Sequence, residues 1–358
     1  MKVNLTTLGL SNASLLPSLE TKPDVSRLMD MLQVFFYGVL FLLGSLGNGA
    51  VIWVTVRQAS RTISCVWFFN LALADFLFSV TRIVPLLKNA FDTGWPFGSF
   101  LCKANSFIKY LNMFCSVFLL AAISIDRAAS VAYPIWSKRH RDSRLAWIGA
   151  IGTWFLAIAT SLPFYFYRGI KIDKTNKTKC SFALEGNETA KLVIYMLRLI
   201  CGFLAPFIII VICYGIITAI LRRRRTSLRS KRPFKVILVL VVTFFLCWAP
   251  YHIFLLLKLA EVSGTAISIG FPLSSFLAYL NSCANPILYF FMGMDFHRKL
   301  TLFNISAAFR RILLEDSGAS LRRPSRYKME TVSSIEEVGQ SSVVYQVHCK
   351  NSALRSSA

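Results

Sequence analysis

Seven apolar runs, each long enough to cross the ~30 Å hydrocarbon core of a bilayer as a helix, leave this chain few folds to choose from. They are Met31 to Val56, Thr62 to Pro85, Cys102 to Ser124, Leu145 to Tyr167, Leu192 to Leu221, Val236 to Leu257 and Ala266 to Met294. Four of them, the first, fourth, sixth and seventh, carry no charged residue. With 55% hydrophobic and only 16% charged residues over 358 positions, a water-soluble fold has too little interior to hide the apolar surface. Lipid offers the backbone no hydrogen bonds, so each run must satisfy its own as a helix. The expected fold is therefore all-α, a seven-transmembrane helix bundle. It divides the chain into an N-terminal segment (1–30), the bundle (31–294), a short amphipathic interfacial helix (295–304) and a disordered tail (305–358). In the interfacial helix Phe296, Leu300 and Phe303 share one face.

Lysine and arginine placement orients the bundle, because short cytoplasmic connections collect them. Arg57 and Arg61 follow span 1, Lys138, Arg139, Arg141 and Arg144 lie between spans 3 and 4, and Arg222 to Arg225 with Arg229, Lys231, Arg232 and Lys235 fill the connection between spans 5 and 6. The N-terminus is expected outside and the tail in the cytoplasm, at the plasma membrane. Glycosylation triplets at Asn4, Asn12, Asn176 and Asn187 all fall on that outer side, while the match at Asn304 is internal. The first thirty residues lack an apolar core, so span 1 is expected to serve as an uncleaved targeting signal. The net charge of +23 resides mostly in loops and tail facing the anionic inner leaflet. It points to membrane lipids and not to nucleic acid.

The nine cysteines sort by compartment. Only Cys102, at the outer end of span 3, and Cys180, in the loop after span 4, lie where an oxidising lumen reaches both, so they are expected to pair; the alternative is two free thiols. Cys65, Cys115, Cys201, Cys213, Cys247 and Cys283 read as small apolar packing residues. In the tail, Thr331, Ser333, Ser334, Ser341 and Ser342 lie near Glu330, Glu336 and Glu337. Phosphorylation there would create a negatively charged docking strip; an inert solvated tail is the other reading.

Polar groups at membrane depth need a reason. Asp75 is the one carboxylate deep in a span, with Asn48, Ser116, Asn281 and Asn285 as candidate partners. These oxygens suit a hard monovalent cation such as sodium. A protonated Asp75 sharing hydrogen bonds with the amides fits the residue chemistry equally well. Asp126 and Arg127 form a second pair at the inner end of span 3, where the arginine either binds a partner's carbonyls or snorkels to phosphates. Pro206, Pro250 and Pro286 each interrupt a helical ladder, and Trp248 is the bulky side chain a bend at Pro250 would swing.

Gly47-Asn48, Leu71-Ala-Leu-Ala-Asp75, Cys102, Asp126-Arg127, Trp154, Pro206 with Tyr214, Phe245-Leu-Cys-Trp248-Ala-Pro250 and Asn285-Pro286-x-x-Tyr289 occur in this order, on these spans. Together they resemble the rhodopsin-like (class A) G-protein-coupled receptors over about residues 31 to 303. The resemblance implies that Asp75, Ser116, Trp248, Asn281 and Asn285 line an allosteric sodium pocket, with no other cofactor. It implies that Asp126, Arg127, Tyr214, Pro250, Pro286 and Tyr289 serve activation and coupling to a heterotrimeric G protein. Two positions depart from the family pattern. Ala128 stands where an aromatic residue or cysteine usually follows the arginine, and Ser230 stands where some relatives place an acid to latch Arg127.

Arg82, Lys88, Lys109, Arg198 and Lys258 fall in outer halves of spans, with Arg168 beside the end of span 4, and only Glu261 opposes them there. Desolvated cations around a cavity favour an anionic guest. Amine-binding relatives have an aspartate at the position of Lys109, which argues against a cationic ligand. Trp95-Pro-Phe-Gly98, Leu111-Asn-Met-Phe114, Arg198-Leu-Ile-Cys-Gly-Phe-Leu204, Arg232-Pro-Phe-Lys235 and Gly270-Phe-Pro-Leu273 are similar to the chemoattractant-receptor branch. Chemerin receptors are nearest, followed by formyl-peptide receptors and the chemoattractant-type prostaglandin D receptor. That branch implies Arg168 and Arg198 as contacts for a ligand carboxylate. The ligand's apolar portion is expected on Tyr110, Phe107, Tyr251 and Phe254, with Lys109, Arg82 and Lys258 close by. Tyr110 and Ile194 replace an aspartate and an arginine of the formyl-peptide receptors, and residues 1–30 lack the acidity of chemerin receptors. The expected ligand is an extracellular anionic peptide of chemerin type, or else an anionic lipid mediator. The branch further implies inhibitory-type G proteins, a receptor kinase and arrestin acting through the tail. A transporter would show repeats and paired ionisable groups. An enzyme would show a nucleophile with a base or clustered metal ligands. Neither pattern occurs, which leaves a non-signalling scavenger receptor as the rival.

Overall fold

The computed structural model describes residues 23–58, 62–91, 94–173, 176–184, 186–223, 232–262 and 264–293. The residues before Pro23, the amphipathic segment and the tail lie outside it, and with them Asn4, Asn12, Ser230, Thr331, Ser333, Ser334, Ser341 and Ser342; so does the side chain of Tyr289.

Seven helical spans are long and apolar enough to cross a membrane. Span 1 joins α1 (Pro23–Val39), a π-helical turn (Leu40–Gly44) and α2 (Ser45–Gln58). Span 2 is α3 (Ile63–Thr81) and α4 (Ile83–Ala90), span 3 is α5 (Gly98–Ala132), and α6 (Pro134–His140) forms the following connection. Span 4 is α7 (Ser143–Phe166). Strands β1 (Arg168–Ile172) and β2 (Thr178–Phe182) precede span 5, which comprises α8 (Glu188–Leu199), a second π-helical turn (Ile200–Leu204) and α9 (Ala205–Arg223). Spans 6 and 7 are α10 (Arg232–Leu259) and α11 (Thr265–Gly293).

The helix starts follow local chemistry. Thr62, Asp142 and Asn187 cap α3, α7 and α8 by accepting the backbone N–H three residues on. Interruptions follow proline. The break at Arg82 precedes Pro85, whose ring opposes the Thr81 carbonyl, and the wide turn Ile200–Leu204 precedes Pro206.

Span 3 packs against spans 2, 4, 5 and 6, and span 7 against spans 1, 2 and 6. Leu71, Phe78, Met113, Phe114, Leu119 and Phe244 fill the shared core. Outward positions such as Leu43, Leu46, Ile148, Phe155, Ile212 and Leu246 are exposed and apolar, as expected where hydrocarbon is the solvent. Gly44 and Gly202 mark the closest approaches. A Cβ at Gly44 would lie 2.2 Å from Ser79 Oγ, and one at Gly202 2.8 Å from Met113 Cε.

The all-α expectation is amended at one place. The loop after span 4 is an antiparallel hairpin with Ile170 opposite Cys180, and the Cys102–Cys180 disulfide fixes it to the outer end of span 3. Asn176 turns the hairpin with a φ of 57°.

Candidate functional site

The outer site is built around Arg198. It lies in the last turn of α8, is 3% exposed, and has four aromatic faces around its guanidinium. Its Cζ lies 4.8 Å from the ring centre of Tyr110, 5.0 Å from those of Phe164 and Phe182, and 5.3 Å from that of Tyr195. Nη1 donates weakly to Tyr251 Oη at 3.4 Å, while Nε and Nη2 are buried without a hydrogen-bond partner.

Three further cations adjoin it. Arg168, on β1, stacks over Phe182 at 4.6 Å and donates Nη2 to the Cys180 carbonyl at 3.1 Å. Burial is the main cause that lowers the Arg168 pKa, and the neighbouring Arg198 adds to it, against the opposing influence of Tyr110. Lys109 places its ammonium between the rings of Tyr110, Tyr251 and Tyr279, at 5.1, 5.9 and 5.2 Å. Arg82 is employed in the fold itself. It donates to the Phe78 carbonyl, Thr81 Oγ1 and Asn105 Oδ1, fastening span 2 to span 3.

Other sequence-predicted contacts lie further out. Lys258 sits 4.3 Å over Phe271, and Phe254 covers Gly270, where a Cβ would come within 2.3 Å of its ring. Phe107 meets Tyr165 edge-on and is not among the rings around Arg198. Phe164, Phe182 and Tyr279 complete the site and were not singled out from sequence. Phe182 shares its strand with Cys180, but only the hairpin register turns it onto the guanidinium.

A polar layer lies halfway down. Asp75 is fully buried, and its Oδ1 accepts Asn112 Nδ2 at 2.8 Å while Oδ2 accepts Asn285 Nδ2 at 2.6 Å. Ser282 Oγ donates to Asn112 Oδ1 at 3.3 Å. Ser116 Oγ, Asn281 Oδ1 and Trp248 Nε1 are buried without hydrogen-bond partners. Asn48, a candidate partner of Asp75 from sequence, binds elsewhere: Nδ2 donates to the Gly44 carbonyl at 2.9 Å and the Ser282 carbonyl at 2.8 Å. The physical reason is Pro286. It has no N–H to offer the carbonyl four residues before it, and the Asn48 amide fills that role. Asn112 was the missed member, although it lies one helical turn before Ser116 and one residue off the turn after Lys109, a spacing that puts all three near one face of span 3.

Trp248 connects the layers, with Tyr251 at 5.6 Å on one side and Phe244 at 5.8 Å on the other, just before Pro250. At the inner end, Arg127 is buried and donates Nη2 to Ser64 Oγ of span 2 at 2.6 Å; its Nε lies 3.8 Å from Asp126 Oδ2. Asp126 is held in a fork by Arg141, with Nε to Oδ1 and Nη2 to Oδ2 both at 2.7 Å. That clamp ties the connection after α6 to span 3. Tyr214 is half-buried within electrostatic range of Arg127.

A seven-helix membrane bundle with a cationic, aromatic outer cavity, a buried carboxylate layer and an arginine at the inner mouth defines a receptor. The profile described as 7 transmembrane receptor (rhodopsin family) matches residues 47–289. Chemerin-like receptor 1 of Bos taurus is 41% identical over 339 residues, covering 89% of this chain and 92% of its own length. The Homo sapiens protein of the same name is 39% identical over 324 residues, covering 84% and 85%. Formyl peptide receptor-related sequence 1 of Mus musculus is 38% identical over 313 residues, covering 82% and 88%. The chain belongs to the rhodopsin family of seven-transmembrane receptors. It is a multi-pass plasma-membrane receptor, not an enzyme, of the chemoattractant type. Such a receptor couples an extracellular ligand to a G protein.

Proposed function

We propose that this receptor recognises an acidic chemoattractant from outside the cell, takes the ligand's carboxylate on Arg198, and signals through inhibitory-type G proteins. The N-terminus is then extracellular and the tail cytoplasmic, in keeping with the lysine and arginine distribution. The observation that carries the ligand class is the pair of buried, unpartnered guanidinium nitrogens of Arg198, with no salt-bridge partner among the described residues. Buried cations are normally paired, and an arginine fork matches a carboxylate with two parallel hydrogen bonds. Arg168 and Lys109 add positive potential, while Tyr110 and Tyr251 offer faces for the ligand's apolar portion. A chemerin-like peptide carboxylate fits this chemistry and the names of the relatives.

Ligand entry at Arg198 acts on Tyr251, which rests on Trp248 directly before Pro250. The ligand favours the arrangement of span 6 in which the inner face opens around Arg127, a shift of population between two packings. The middle layer fits a sodium ion: Asp75 supplies charge, and the partnerless Ser116 Oγ and Asn281 Oδ1 supply further hard oxygens, with Asn285 beside them. When bound, the ion would stabilise the ionised carboxylate. Thr331, Ser333, Ser334, Ser341 and Ser342 are the sites through which kinase and arrestin would end the signal.

The test is nucleotide exchange on a purified inhibitory-type G protein by wild-type and Arg198→Ala receptor. The probes are carboxylate-terminated chemerin-type peptides and, separately, lipid acids. Loss of response with intact surface expression is expected; an unchanged dose-response curve refutes the anionic pocket.

A further inference from the structure

His252 is a buried titratable side chain that the proposed mechanism leaves unused. It follows Tyr251 on α10, is 2% exposed, and neither Nδ1 nor Nε2 has a hydrogen-bond partner. Its ring is bounded by Phe203 at 4.7 Å, Tyr251 at 5.4 Å and Trp248 at 6.3 Å. A phenylalanine would fill this aromatic surround without bringing polar atoms into it. Buried side-chain nitrogens are nearly always paired, so an imidazole with two orphans calls for a partner that the folded chain does not contain.

The partner's chemistry follows from the ring. Neutral imidazole presents one N–H donor and one acceptor nitrogen, so its complement is a neutral group that both accepts and donates. Location supplies the rest. Arg198 lies within electrostatic range of His252, and its Nη1 reaches the hydroxyl of the adjacent Tyr251. Unpartnered nitrogens of both residues thus flank the same tyrosine, where one guest can meet both.

We propose that His252 is a second ligand contact, which takes a hydroxyl or amide carried on the apolar body of the acid whose carboxylate meets Arg198. The proposal rests on the anionic-pocket reading and narrows it, from acids in general to acids with a neutral group that both donates and accepts. A hydroxylated fatty acid and a peptide's C-terminal residue with its own amide share that chemistry.

The test uses the purified full-length receptor and its His252→Phe and Arg198→Gln variants. Two probe pairs distinguish the sources: hydroxystearic against stearic acid, and a short apolar carboxylate-terminated peptide against its N-methylated analogue. Thermal unfolding of the ligand-free proteins comes first. His252→Phe should melt at or above wild type, because it removes two unsatisfied nitrogens and keeps a ring of similar shape. In one of the pairs, wild type should prefer the member bearing the free hydroxyl or amide by about fivefold, the scale of one net hydrogen bond. His252→Phe should lose that preference while binding the stripped member as before. Melting of His252→Phe several degrees below wild type would overturn the proposal, since the imidazole would then have partners within the fold. No preference in wild type, or one surviving in His252→Phe, would overturn it equally. If wild type binds the probes but Arg198→Gln binds them as well, the anionic reading fails while the His252 contact is judged separately by its own preference. If neither pair binds wild type, both readings fall together.

Discussion

Asn48→Leu isolates the brace between spans 1 and 7. The substitution keeps the volume and removes both donor hydrogens, so the contacts to the Gly44 and Ser282 carbonyls are lost together. Each net hydrogen bond contributes about 1 kcal/mol. The Ser282 carbonyl is a special case, because Pro286 cannot replace the lost donor and leaves the oxygen buried and unpaired, a further ~1–2 kcal/mol. The sum is about 3–4 kcal/mol, which corresponds to roughly 6–16 °C in melting temperature for a domain of ~200 residues. Purified receptor heated at a fixed rate with a thiol-reactive dye reads this directly, because Cys65, Cys115 and Cys283 are free and buried until the bundle opens. The decisive measurement is a cycle with Pro286→Ala. Alanine restores an N–H four residues after Ser282, so Asn48→Leu should cost about 1 kcal/mol less in that background. Strict additivity, or an Asn48→Leu receptor that melts like wild type, would refute the assignment of Asn48 as substitute donor.

Gly44→Ala should lower the melting temperature, since its Cβ would sit 2.2 Å from Ser79 Oγ, and Ser79→Gly should restore much of the loss in the same assay. Replacing Cys102 and Cys180 together by serine opens a cross-link between residues 78 apart in sequence; chain entropy puts the cost at about 4–5 kcal/mol. Melting of the double variant and loss of agonist response, as the hairpin comes away from span 3, check that estimate. Asp75→Asn should abolish the sodium sensitivity of agonist binding measured in sodium against N-methylglucamine buffer; retained sensitivity places the ion elsewhere.

The spans were legible because their signal is local: lipid demands continuous apolar length, and proline and capping residues act within a turn. The hairpin was not, because its strands are short, carry lysines on both sides and depend on a disulfide to hold them over the cavity. Asp75 and Asn285 were legible as costly polar groups at depth, whereas the pairing within the layer was not. Asparagine type alone cannot tell Asn112, which binds the carboxylate, from Asn48, which binds a carbonyl freed by a proline 238 positions away. Arg82 shows the same limit from the other side. Its charge and depth suggested ligand contact, but three acceptors on spans 2 and 3 already engage it.

The two polar levels of the bundle solve the burial of charge in opposite ways. At mid-depth, both oxygens of Asp75 accept amide hydrogens, so the carboxylate is held by dipoles from spans 3 and 7 at once. In the outer half, Arg198 has four ring faces in place of an anion. Ring faces stabilise a cation by ~0.5–2 kcal/mol each without using its hydrogen-bond donors. The pocket can therefore fold around its charge while keeping two guanidinium nitrogens for a guest. A carboxylate that claims those donors draws the guanidinium away from the aromatic faces, and Tyr251 is the ring whose hydroxyl and neighbours feel that change most. Because Tyr251 also packs edge-on against Trp248 beside Pro250, recognition of an anion and bending of span 6 compete for the position of one tyrosine. That shared side chain is the physical basis on which an acid at the outer face can alter the equilibrium at Arg127.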